Sequence, residues 1–300
     1  MPQRDTMLAG LRARGELWEP APGLVGLRGE TLSRLNHIDA LVADLCSGEL
    51  AEEWRVPQAL PLEVLARADY FASFPQWLTL ASHLGGDDNA LERVATSADP
   101  ACEAANAAAP ASAALPPAVC YHVYAALAGC TIEARRVVTA QGCCWRHEGD
   151  RFEPLARGWA FTMRELVCIG TEQECRTFRE RGIAIAQELA GALGLAGRIE
   201  QAEDPFFAPT ARGRALLQRF KSLKHELRLA IGDGETIAAA SFNLHERFFG
   251  EAFDIRLPDG EPAHTACVAF GLERWLLASL IEHPVRARGS ASPTFAEVRA

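Results

Sequence analysis

Period-two alternation dominates the chain from residue 118 onward, and it narrows the possible folds more than any other feature. Three long stretches carry it, at 131–148, 158–170 and 227–245. Each is rich in residues that suit a pleated, half-buried surface. Gly232, Asp233 and Gly234 interrupt the third stretch with the residues that a tight hairpin turn selects, because such turns need positive φ angles. Strands joined this way pair antiparallel. Helical periodicity flanks them at about 172–194 (Phe178, Ile185, Leu189, Leu193), about 210–226 (Leu216, Phe220, Leu223) and about 269–283 (Leu272, Trp275, Leu276, Ser279, Leu280). Strands and helices in separate blocks predict an α+β fold, an antiparallel sheet flanked by helices.

Upstream, residues 1–94 read as mixed and mostly helical. Leu32, Leu35, Ile38, Leu41, Val42 and Leu45 recur at spacings of three and four, which makes one buried stripe. At 95–117 Ala, Ser and Pro dominate and large apolar residues nearly vanish, so this stretch reads as a helix-and-loop connection. The expected organisation is a mostly helical part at 1–94, the connection at 95–117 and a sheet-bearing core with inserted helices at 118–300. A chain of 300 residues suits either two domains of about 150 residues or one larger domain.

Thirty basic against thirty-nine acidic residues leave a net charge of −9. That is the wrong sign for a general nucleic-acid binder, and a polyanionic partner would have to meet a local basic patch. No run of about 18 apolar residues offers a membrane span, and the opening MPQRDTMLAG lacks the apolar stretch of an export signal. A cytoplasmic protein without membrane partners is expected. Nine cysteines, an odd number, then read as reduced thiols or metal ligands rather than disulfides.

In the strand over 159–169, Phe161, Met163, Glu165 and Val167 share one face. A single carboxylate in such company is ordinarily a charge on an edge strand. Just upstream, however, Arg146 and Glu148 lie two apart in CCWRHE, on one face of their own strand if it is regular. Arg-x-Glu, a loop and then Phe-x-Met-Arg-Glu resembles motif 2 of class II aminoacyl-tRNA synthetases. The resemblance implies that Arg146 grips the α-phosphate of ATP, that Glu148 faces the adenine amino group and that Phe161 stacks on the base, with Arg157 and Gly158 joining the ATP-binding set. Guanidinium suits such work because it stays charged and meets phosphate oxygens as a planar fork. The later AFGLERW at 269–275 resembles motif 3 and implies that Arg274 clamps the other end of ATP. RVPQALPLEVLARADYFASFP, around Pro57 and Pro61, resembles the dimer-forming motif 1 and implies a homodimer. Ser241 and Asn243 share a strand face; Ser241 is assigned to ATP and Asn243 to substrate, with a solvated polar face as the alternative.

The resemblance extends to the atypical zinc-dependent seryl-tRNA synthetases and the shorter amino acid:carrier protein ligases related to them, which hold zinc with Cys, Glu and Cys. Cys120 in VCYHVY, Glu165 in FTMRE and Cys267 in TACVAFGLERW fall in the matching places. Two thiolates and a carboxylate leave a fourth position open, where Glu165 would also meet the substrate. Cys130, Cys143, Cys144, Cys168 and Cys175 read as small buried hydrophobes, with Cys130 the substitute for Cys120. The synthetases carry a large N-terminal tRNA-binding domain, whereas here only about 94 residues without a basic arm precede the core. With SFNLHERFFGEAFDI at 241–255 and CVAFGLERWLLA at 267–278, the chain is identified as a member of the carrier protein ligase family. That implies ATP-dependent activation of a small amino acid, glycine or alanine, as an aminoacyl adenylate, and transfer to the phosphopantetheine thiol of a carrier protein, with Zn2+, ATP and Mg2+ as cofactors and no tRNA. One departure is that TIAAASFN lacks the acidic magnesium ligand usual before the Ser/Asn segment, Glu235 lying slightly early. A minimal aminoacyl-tRNA synthetase and a synthetase-like, non-catalytic binding subunit remain the alternatives.

The segment 211–228 holds six basic residues against the single acid Glu226. Wound as a helix, it gathers Leu216, Phe220, Leu223 and Leu227 on one face and Arg214, Lys221, His225 and Arg228 on the other. Carrier proteins are acidic, so Arg214, Lys221 and Arg228 are assigned to carrier binding through electrostatic steering.

Overall fold

A computed structural model describes residues 3–149, 151–205, 207 and 221–284. Its strands are β1 (Leu17–Ala21), β2 (Leu24–Leu27), β3 (Glu52–Trp54), β4 (Leu60–Pro61), β5 (Thr79–Ala81), β6 (Ala113–Leu115), β7 (Arg136–Trp145), β8 (Ala160–Gly170), β9 (Gly197–Gln201), β10 (Lys224–Ala230), β11 (Thr236–Glu246) and β12 (His264–Gly271). The alternating stretches supply β7, β8, β11 and most of β10 of a seven-stranded sheet, in the order β3-β7-β8-β12-β11-β10-β9. Only β3 runs parallel to its neighbour, β7; every other pair is antiparallel. The expected α+β fold with an antiparallel, helix-flanked sheet is therefore the one observed. Between β10 and β11 the chain reverses through Gly232, Asp233 and Gly234, all at positive φ (83°, 52° and 77°), as a hairpin of this composition requires.

One sheet face is covered by the helices Gly29–Cys46, Glu172–Ala192 and Leu272–Glu282. Thr171 and Glu174 cap the second of these reciprocally, satisfying main-chain donors that would otherwise lack partners. Its Gly182 sits against β12 so closely that a Cβ there would fall 2.5 Å from a Val268 methyl. Phe178, Trp275, Phe242 and Phe270 fill this layer and are essentially fully buried. Arg164 points to the same side. It is 5% exposed, and its Nε and Nη2 donate to Asp39 at 2.6 and 2.9 Å while Nη1 reaches Glu53 at 3.3 Å, tying β8 to the helix Gly29–Cys46 and to β3. Asp39→Ala removes the main counter-charge of a buried cation, and urea unfolding is expected to show a loss of about 3 kcal/mol. Asp39→Asn, which keeps an acceptor, should lose less.

The opposite face positions the candidate site. Cross-strand register aligns Glu226, Ser241, Ala269 and Glu165 in one row, and Lys224, Asn243, Cys267 and Val167 in the next. Period two along each strand puts both rows on the same side.

Three expectations differ from the structure. The helix drawn through 210–226 does not extend to 224, because β10 begins there; residues 208–220, Arg214 among them, lie outside the described residues. Spacings of four at Leu223 and Leu227 imitate a helix, but Leu227, Leu229 and Ile231 alternate and are buried, and that pattern prevails. The basic charges meet acids within the fold: Lys221 pairs with Glu246, Lys224 with Asp204 and Glu226, and Arg228 with Glu200 and Glu226. Second, the stretch 95–117 is not only connection, since β6 forms the middle of a three-stranded sheet with β4 and β5, and Ala114 is fully buried there. Third, β7 starts at Arg136 and ends at Trp145, so Arg146 and Glu148 follow the strand rather than sharing a face of it. Among the described residues no helix is long and apolar enough to cross a membrane.

Candidate active site

A cavity of about 570 Å³ opens over the sheet face that carries the Glu226–Glu165 and Lys224–Val167 rows. It is lined by Cys120, Arg146, Glu148, Arg157, Gly158, Phe161, Glu165, Ser241, Asn243, Cys267 and Arg274. Every residue assigned to ATP, substrate or metal from the sequence thus meets in one place. Lys221 and Arg228 are not among the lining residues, whereas Lys224 and Glu226 are. Glu235 lies in the exposed β10–β11 turn, its side chain 3.9 Å from Arg4.

At one end, Arg146 leaves β7 with its Nε donating to the Pro117 carbonyl at 2.8 Å. Its guanidinium carbon stands 5.4 Å from the Phe161 ring centre and 5.5 Å from that of Trp77, within cation–π range. Arg274, in the first turn of the helix Leu272–Glu282, donates from Nε to Ala156 and from Nη1 to Ala238, both at 2.9 Å. Both arginines are thus held by neutral carbonyls, which orient the charge without cancelling it. Burial holds the Arg274 guanidinium below its ordinary range. Glu148 lies 3.5 Å from Arg157, and the chain at Gly158 passes so tightly that a Cβ would sit 2.5 Å from the Ala160 carbonyl oxygen. Glu273 takes the Thr162 N–H on both carboxylate oxygens, at 2.9 and 2.8 Å, fixing the start of β8 against the helix that carries Arg274.

At the other end, the helix Cys120–Ala126 begins beside β8, and the Cys120 N–H donates to Glu165 Oε2 at 2.6 Å. Cys120 hydrogen-bonds through sulfur to Cys267 on β12, which drives the two thiols apart: Cys267 is pulled down and Cys120 pushed up. Asn243 Nδ2 lies 3.4 Å from Cys267 Sγ, and His245 Nε2 lies 3.7 Å from it. Glu165 is 2% exposed, and burial, with the Cys267 charge adding to it, pushes its carboxyl up to about 8. Among the described residues no group of three His, Cys, Asp or Glu side chains is arranged to hold a metal ion. The chemistry of the cluster nevertheless fits a zinc donor set, since two thiols and a buried carboxylate, donor types that zinc accepts, come together with the Cys120 N–H bonded to Glu165. Cys130 is exposed and is not among the lining residues, which leaves Cys120 as the cysteine at this position.

His245 was not anticipated. Its Nδ1 lies 3.3 Å from the Tyr124 hydroxyl and 3.2 Å from that of Thr265. Extending the alternation of Ser241 and Asn243 by one step would have found it. Tyr70, Phe74 and Trp77 also line the cavity, Phe74 and Trp77 stacked at 5.3 Å. They arrive from β4–β5, far away in sequence, and no local pattern marks them.

No protein-family model matches the chain. It is 35% identical over 266 residues to amino acid–[acyl-carrier-protein] ligase 1 of Bradyrhizobium diazoefficiens, a match covering 87% of this chain and 81% of the relative. Ligase 2 of the same organism is 37% identical over 235 residues, covering 77% and 70%. A type-2 serine–tRNA ligase of Methanococcus maripaludis is 29% identical over 147 residues, covering 47% of this chain and 29% of that protein. Among solved structures, M. kandleri SerRS, crystallised in complex with A. aeolicus tRNASec, superposes with a TM-score of 0.83 at 20% identity, over 93% of this chain and 57% of that one. A Giardia lamblia prolyl-tRNA synthetase with prolyl-adenylate gives 0.71 at 15% identity, over 93% and 53%. These structural likenesses bear on the fold, which is that of class II aminoacyl-tRNA synthetases.

Proposed function

The chain belongs to the amino acid–[acyl-carrier-protein] ligase family, and from that premise we infer that it activates an amino acid with ATP and passes the aminoacyl group to a carrier protein. The observation that carries this reading is one cavity whose two ends hold different chemistry, paired arginines at one and a Cys-Glu-Cys cluster at the other.

In this reading the adenine stacks on Phe161, with Glu148 facing its amino group, and Arg157, Gly158 and Ser241 complete the ATP site. Arg146 and Arg274 meet the phosphates. Their charge is oriented in advance by the Pro117, Ala156 and Ala238 carbonyls, so little reorganisation is needed when the transition state forms. The amino acid carboxylate attacks the α-phosphorus and pyrophosphate leaves, giving the aminoacyl adenylate; the thiol of a carrier's phosphopantetheine arm then displaces AMP. Cys120, Glu165 and Cys267 would hold zinc, which when bound supplies an electrophilic position for the amino group. Asn243 orients the Cys267 sulfur from 3.4 Å. A small amino acid, glycine or alanine, is the substrate by family resemblance, magnesium accompanies ATP, and a homodimer built on the Pro57 and Pro61 segment completes the assignment.

The test is amino-acid-dependent exchange of pyrophosphate into ATP across all twenty amino acids, followed by transfer from the adenylate to carrier protein and to tRNA. Exchange with one or two small amino acids and transfer to the carrier alone is the expected outcome. Transfer to tRNA would make the protein a minimal synthetase, and no exchange at all would leave a binding subunit.

A further inference from the structure

Tyr70 lines the cavity and is 3% exposed, and its hydroxyl has no hydrogen-bond partner among the described residues. Buried tyrosine hydroxyls ordinarily have partners, because leaving one unpaired in a low-dielectric site is costly. Packing alone would be served by phenylalanine. The ring is held on both sides, 5.5 Å from Phe74 and edge-on to Tyr121 at 5.8 Å. Immediately before it, Asp69 is in the left-handed region at φ 53°, ψ 25°, a conformation that side chains adopt at a cost and that turns the short helix Tyr70–Ser73 into the cavity.

The Tyr70 ring lies between the two chemical ends of the site. On one side it meets Phe74, which stacks on Trp77, and the Arg146 guanidinium stands 5.5 Å from the Trp77 ring centre. On the other side it meets Tyr121, which follows Cys120 directly. In an amino acid lying with its amine toward the Cys-Glu-Cys cluster and its reacting end toward Arg146, the carboxylate is the group between them.

Resting on the ligase reading above, we propose that the Tyr70 hydroxyl binds the substrate carboxylate, donating its hydrogen bond to the oxygen that becomes the adenylate carbonyl. During activation the other carboxylate oxygen forms the new bond to the α-phosphorus. The bond from that phosphorus to the pyrophosphate oxygen breaks, and the electron pair leaves with pyrophosphate. Tyr70 keeps its proton throughout. Its work is to seat the carboxylate with a neutral donor next to a guanidinium, so that the negative oxygen is held without a second cation competing for the phosphate.

The experiment is Tyr70→Phe, which keeps the ring and deletes the donor, assayed by pyrophosphate exchange with the amino acid that supports the fastest exchange in the wild-type protein. The carboxylate carries its full charge in the ground state and less of it as the anhydride forms, so the loss falls on binding. The KM for the amino acid is expected to rise about 10- to 100-fold, while the KM for ATP and kcat change by no more than about two-fold. The thermal midpoint should stay or rise, since the deleted hydroxyl had no partner to lose. An unchanged KM for the amino acid overturns the proposal, and so does a uniform loss accompanied by a lower midpoint, which would mark a structural role. Wild-type protein without exchange for any amino acid would overturn the ligase reading itself and this inference with it; an active wild type with an unaffected variant overturns this inference alone.

Discussion

Arg146→Ala and Arg274→Ala are each expected to slow adenylate formation by about 100- to 1,000-fold, measured as pyrophosphate exchange at saturating ATP and amino acid. The magnitude follows from where these charges sit. Both guanidinium groups are half-buried, which reduces screening; Arg274 lies against two carbonyls and Arg146 against one carbonyl and two aromatic rings. A charge fixed in such a place acts on developing phosphate charge at low effective dielectric, and alanine leaves nothing to replace it. The two variants should differ in what else they disturb. Arg146 packs on Phe161, so its loss also loosens the base-stacking surface and should raise the KM for ATP. Arg274 is anchored to the carbonyls of Ala156 and Ala238, away from that ring, and its loss should fall more on kcat. Arg274→Lys tests the fork geometry, because a point charge cannot donate to both carbonyls and still present N–H groups to phosphate. Wild-type exchange in both alanine variants would refute the assignment of the ATP end.

The arginines were legible in the sequence because each belongs to a short motif with its own local structure, a strand end in one case and a helix start in the other. The sheet was legible for a related reason: β7, β8 and β11 fall in the stretches rich in strand-favouring residues, whereas β12, buried from Thr265 to Phe270, shows no alternation to read. Where that rule weakens, reading fails. β6 consists of Ala113, Ala114 and Leu115, and alanine carries little strand preference, so a buried central strand looked like connection. β10 follows a run whose leucines fall at helical spacings, and its polar face, Lys224, Glu226 and Arg228, is fixed by partners on β9, β11 and the loop at Asp204, none of which is local.

The site was legible in a different way from the fold. Cys120, Glu165 and Cys267 stand on a helix, a strand and another strand, and nothing in their separation along the chain marks them as neighbours; a family likeness brought them together before the structure did. The cavity wall formed by Tyr70, Phe74 and Trp77 had no such likeness to lean on. Its aromatics belong to a segment read for a dimer motif, and only the tertiary arrangement turns them toward Arg146.

Cys267→Ser and Glu165→Ala are expected to abolish both zinc binding and activation, with the wild-type protein holding about one zinc per chain by metal analysis. The proposed site, with three protein ligands and one open position, leaves no redundancy. Removing one of them leaves a two-ligand site, and serine offers a hard, protonated oxygen where a soft thiolate stood. Cys267 is the more sensitive position of the two thiols. It is the sulfur on which Cys120, Asn243 and His245 converge, and their contacts hold it toward the thiolate form that a metal requires. Two controls separate metal loss from general damage. Cys168→Ala removes a fully buried cysteine on the helix-covered side of the sheet and should keep its zinc. Arg274→Ala should lose activation and keep its zinc, because the arginine belongs to the other end of the cavity. Full activation by metal-free protein, or normal zinc content in Cys267→Ser, would sink the metal assignment while leaving the ATP end intact.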